Sequence, residues 1–97
     1  MTSFKEIANK NFEQLDLFTA AITRAHGKNH PEAFEVRDLF TKIKEKTQAV
    51  GGGEPDLDTE FTRLREVTSH YTIPDDVCET YAAVYKMLLE TDQAYQA

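Results

Sequence analysis

Apolar residues recur at helical spacing along most of this chain, and the repeats break only near glycines and prolines. That pattern admits an all-α fold and little else. The first stripe is Phe4, Ile7, Ala8, Leu15, Phe18, Ile22 and Ala25. This is the i, i+3, i+4, i+7 signature of one helix face. Ser3 stands where a cap is needed, with Glu6 three residues on, as in a capping box. Lys5, Lys10, Glu13, Asp16 and Arg24 take the opposite face. Asn11 falls inside the stripe. A polar residue there pins register or pairing at some cost in stability.

The next elements follow from the punctuation. Gly27 ends the first helix as a C-terminal cap, and His26 in the last turn suits the helix dipole. Pro31 fits the first position of a second helix, with Glu32 in its first turn. Val36, Leu39, Phe40, Ile43 and Val50 form its stripe. Gly51-Gly52-Gly53-Glu54-Pro55 is a break. It lacks the following Lys and Ser/Thr that a phosphate-cradling loop needs, so it reads as a plain connection. Leu57, Phe61, Leu64, Val67 and Tyr71 give a third helix. A fourth starts at Pro74, with Asp75 and Asp76 against the dipole. Its stripe is Val77, Cys78, Tyr81, Val84, Tyr85, Leu88, Leu89 and Tyr95. The predicted helices span residues 3–26, 31–50, 57–71 and 74–95 of a single domain, 1–97. Short connections make antiparallel neighbours the simplest packing, an up-down-up-down four-helix bundle. Phe18, Phe40, Phe61 and Tyr81 supply the common core, one from each helix. Leu17 and Phe34 lie off their stripes and hint at a contact surface.

Composition narrows the function classes. A formal net charge of −6 over 97 residues disfavours a nucleic-acid surface, which needs clustered Lys and Arg, and disfavours anionic lipid. No apolar run approaches the ~20 residues that span a bilayer. No continuous apolar segment follows Met1, which predicts a cytoplasmic protein. Cys78 is the only cysteine, so no internal disulfide forms.

The run Ala25-His26-Gly27-Lys28-Asn29-His30-Pro31-Glu32 resembles the inter-helix turn of the hemerythrin-like domain of the repair-of-iron-centres family, which restores iron–sulfur clusters. The likeness continues through Val36, Leu39-Phe40 and Ile43. It resumes at Leu64-Arg65-Glu66-Val67-Thr68, Tyr71, Pro74, Cys78, Thr80-Tyr81 and Tyr85, covering roughly Thr23 to Leu89. It implies a four-helix bundle that holds two irons with histidines and carboxylates. This chain departs from the pattern at each ligand stretch. Val50 stands where the second helix should carry its His, and Phe4 or Lys5 where the first should. The third should open with Glu-His-Asp, but the chain reads Asp56-Leu57-Asp58. The fourth reaches Ala97 before its His and Glu. Iron is therefore not expected at the usual site, and no other cofactor is expected.

Other chemistry is sparse. His26, His30 and Glu32 carry metal-ligating side chains near one another. Gly27 and Pro31 put the two histidines across a turn, so the i, i+4 ligand geometry is not expected. Cys78 on the apolar stripe should be buried as a small hydrophobe. No nucleophile–base pair is defensible, and the chain is not expected to be an enzyme. Phe4, Ile7, Val50, Leu57 and Tyr95 belong to the same end of an antiparallel bundle. If exposed there, they would form an apolar surface for a protein partner or homodimer. The expectation is thus a non-catalytic accessory protein of the iron–sulfur repair type, active in stress response. The alternatives are an iron protein with a reduced or intermolecular site, and a helical dimerisation module unrelated to iron.

Overall fold

Ser3 starts the fold as the sequence predicts. In the computed structural model, which describes residues 3–51 and 53–97, its hydroxyl accepts the Glu6 N–H at 3.2 Å. The helix it caps, α1, runs Phe4–His26. Three further helices follow among the described residues: α2 (Glu32–Ala49), α3 (Asp58–Val67) and α4 (Glu79–Gln96). The class is all-α.

Gly27 earns its place by space, not by backbone freedom. Its φ is −56°, an ordinary right-handed value. A Cβ there would stand 2.5 Å from the Thr23 carbonyl oxygen and 2.6 Å from the Phe34 ring. The chain turns so tightly that only glycine fits. Pro31 then precedes α2 with φ preset at −62°.

Side-chain pairs show how the helices lie. Phe4 meets Tyr95, Asn11 meets Glu90, and His26 meets Cys78. The α1 numbers rise as the α4 numbers fall, so the two run in opposite directions. Phe12 against Phe40 and Gly27 against Phe34 give the same relation between α1 and α2. α3 packs on α2, tied at its edge by the Lys46–Glu60 and Arg63–Glu35 ion pairs. Leu15, Ile22, Phe40, Ile43, Phe61, Leu64, Tyr81 and Leu88 fill the interior. Phe40, Phe61 and Tyr81 are fully buried as expected, and Phe18 lies partly buried against them. Phe12, which the stripe omitted, packs edge-on to Phe40 with centroids 5.4 Å apart. Asn11 is 3% exposed and donates to Glu90 Oε1 at 2.7 Å. The polar residue inside the stripe thus bridges α1 and α4.

Two helix boundaries and the burial of Cys78 differ from expectation. α3 stops at Val67, not Tyr71, because Ser69, His70 and Tyr71 take left-handed φ values of 51°, 57° and 61°. α4 starts at Glu79, not Pro74, so Asp75 and Asp76 stand in a turn before it. Ile73 and Val77 reach the core from this non-helical connection. Cys78 is exposed, not buried, because it sits in extended backbone at the N-cap position of α4.

Candidate functional site

Most of the chemistry-bearing side chains gather at one end, where the α1–α2 turn meets the α3–α4 connection. His30 is the centre. Its Nδ1 lies 3.2 Å from Glu32 Oε2, and its Nε2 lies 2.9 Å from Asp76 Oδ1. The hydrogen bond to Glu32, then that to Asp76, raises the His30 pKa above its ordinary value. The protonated ring can donate from both nitrogens, which ties the start of α2 to the segment before α4. Beside it, His26 Nε2 stands 3.2 Å from Cys78 Sγ. The Tyr81 backbone N–H, then His26, lowers the Cys78 thiol pKa. A thiol so placed forms thiolate more readily than an ordinary surface cysteine.

The Tyr81 ring forms the floor, with centroids 5.4 Å from His26 and 5.6 Å from His30. Its hydroxyl lies 3.3 Å from that of Tyr85. Burial raises both phenol pKa values, so these groups stay neutral. The turn therefore brings His26, His30 and Glu32 to one place, with His26 beside Cys78 and His30 between Glu32 and Asp76. Both His30 nitrogens face carboxylates. Among the described residues, no group of three or more His, Cys, Asp and Glu side chains is placed to hold a metal ion.

The opposite end corrects the expected apolar surface. Ile7 and Leu57 are buried, at 4% and 0% exposure. Phe4 and Tyr95 are partly buried and meet edge to face, with centroids 5.7 Å apart. Tyr95 also stacks on Phe61 at 5.1 Å. Its hydroxyl accepts the Leu57 N–H at 2.9 Å and donates to Asp58 Oδ1 at 2.9 Å. Val50 alone of the five is largely exposed. The Glu54 and Asp58 carboxylates and the Tyr95 hydroxyl border the same space as Phe4, with no histidine beside them. Phenyl rings and Val50 cannot ligate, and among the described residues no group of three or more His, Cys, Asp and Glu side chains stands here to hold a metal, so these residues do not fit a di-iron centre of histidines and carboxylates.

A third cluster escaped the sequence reading. Asp92 is 4% exposed on α4. Its Oδ2 accepts from Tyr71 Oη at 2.7 Å and from Arg65 Nε at 3.0 Å, and its Oδ1 accepts from Gln96 at 3.1 Å. Burial and this carboxylate push the Tyr71 phenol pKa up. A signal was present: Tyr81, Tyr85, Leu88, Asp92 and Tyr95 share one helical spacing, so Asp92 falls on the buried face. Glu60 is buried likewise and pairs with Lys46 Nζ at 2.9 Å. No described helix is long and apolar enough to cross a membrane. No protein-family model, curated protein or solved structure matches this chain.

Proposed function

We propose that this chain is a non-catalytic relative of the repair-of-iron-centres proteins. It works in the cytoplasm by contact with a protein partner, in iron–sulfur maintenance under oxidative or nitrosative stress. One observation carries the metal-free part of this role: Phe4, Tyr95 and Phe61 pack together at the end where such proteins hold iron. Contact is the role that remains for a bundle of this kind. Phe34 is the best anchor for it. Phe34 is 57% exposed, and its ring lies against Gly27. Exposed, positioned aromatic rings are the side chains that dominate protein interfaces.

The test has two arms. Purified protein is incubated anaerobically with excess ferrous iron, desalted and assayed for metal and thermal midpoint. Well under one iron per chain and an unchanged midpoint are expected. Stoichiometric iron with a raised midpoint would favour the reduced or intermolecular iron site instead, because a ligand that binds the native state stabilises it. In the second arm, the encoding gene is deleted and recovery of a [4Fe–4S] dehydratase is followed after nitric oxide or peroxide. Slower recovery, restored by wild type but not by Phe34→Ser, is expected. Recovery at the parental rate removes the iron–sulfur role.

A further inference from the structure

Local sequence and tertiary structure disagree at the end of α3. Leu57, Phe61, Leu64, Val67 and Tyr71 are spaced for one unbroken helix, and no Gly or Pro lies from Asp58 to Ile73. α3 nevertheless stops at Val67. The His70 N–H donates to the Arg65 carbonyl at 2.7 Å, and the Ser69 N–H to the Glu66 carbonyl at 3.4 Å. That is the Schellman pattern of helix termination, in which glycine usually takes the left-handed position. Here Ser69 takes it, and His70 and Tyr71 continue left-handed. Each of the three carries a Cβ that the left-handed region disfavours. Such strain persists only where surrounding contacts over-determine it.

Those contacts can be named. Tyr71 Oη donates to Asp92 Oδ2 at 2.7 Å, and Arg65 Nε donates to the same oxygen at 3.0 Å. The Tyr71 N–H donates to Thr68 Oγ1 at 2.8 Å, and the Thr72 N–H to the Thr68 carbonyl at 3.0 Å. A continued helix would exchange the backbone bonds of this turn for i→i−4 bonds at little loss. Thr72 to Cys78 would remain to reach α4, and seven extended residues span about 23 Å. The observed form therefore sets the Tyr71–Asp92 bond and the burial of the Tyr71 ring against backbone strain.

We propose that Ser69, His70 and Tyr71 form a two-state strap, left-handed when clasped to Asp92 and right-handed, continuous with α3, when the clasp opens. With Leu89, Asp92 and Gln93, His70 and Tyr71 line a groove of about 410 Å3. Switching the strap therefore reshapes one wall of that groove.

NMR on the full chain tests this, using Cα shifts of residues 69–71 and relaxation dispersion to read the minor state. Wild type is expected to show left-handed shifts with a sparse helical minor state. Tyr71→Phe removes one hydrogen bond to a charged group, so the helical population should rise about ten- to hundredfold. His70→Gly relieves strain in the left-handed form only, so the helical population should fall. An unchanged population in Tyr71→Phe overturns the strap. So do random-coil shifts at residues 69–71 in that variant, because they show loss of order in place of a second fold. No response to His70→Gly also overturns it, since strain would then not set the balance.

Discussion

Phe40 is among the largest fully buried side chains. It lies on α2, and Phe12 of α1 meets it edge to face. Truncation to alanine removes that transfer energy and leaves a cavity, so Phe40→Ala should cost ~3–5 kcal/mol. Chemical denaturation checks this, and a loss below ~1 kcal/mol would contradict the core assignment. Gly27→Ala tests a different force. Its new methyl group meets a backbone oxygen at 2.5 Å, which cannot swing aside as the Phe34 ring can. A loss of about 1–3 kcal/mol is expected from overpacking, with changed aromatic shifts at Phe34. A stabilised Gly27→Ala variant would show that the turn is looser than described. At Cys78, the Tyr81 N–H and then His26 favour thiolate. Its alkylation rate should therefore reach half-maximum below the ordinary thiol pKa of 9.0, and His26→Ala should move that midpoint upward. A wild-type midpoint at or above 9.0 would refute the contact.

Between elements, His30 is the titrating tie. It links the start of α2, through Glu32, to the connection before α4, through Asp76. Its folded pKa is raised above the ordinary 6.5, so the protonated ring binds more tightly in the native state. The stability it contributes is fully present below pH 6.5 and is lost as pH rises through the higher folded value. Thermal midpoints of wild type and His30→Gln should therefore differ most below pH 6.5 and converge as pH rises through the raised folded value. A gap that widens with pH would mean the pair is not ionic. Asp16 behaves in the opposite sense. The hydrogen bond from Arg37 lowers its pKa, so its contribution is present above pH 3.8 and is lost as pH falls through the lower folded value.

At the scale of the whole molecule, the apolar stripes pack on one another, with no ligand set to neutralise among the described residues. Chelator should leave the thermal midpoint and cooperativity unchanged. A fall of many degrees would show that bound metal contributes to folding. Much of this architecture was legible in residue spacing. The α1 and α2 boundaries follow from Ser3, Gly27 and Pro31, which act through local backbone and capping chemistry. The candidate site was less legible. His26 and His30 were visible as neighbours, but their partners Cys78 and Asp76 stand 52 and 46 residues away.

The physical division runs between local and non-local terms. Helix periodicity, capping and steric exclusion act within a few residues, so the chain alone determined its all-α class, its first two helices and its fully buried Phe40, Phe61 and Tyr81. Only the tertiary structure decided where α3 ends, because local spacing favours helix to Tyr71 and a bond to Asp92, 21 residues on, holds the left-handed turn. Packing likewise decided that Ile7 and Leu57 are covered, with Tyr95 closing over that end through the Leu57 N–H. A periodic stripe says which face of a helix is apolar. How much of that face stays in water depends on what the rest of the chain lays across it.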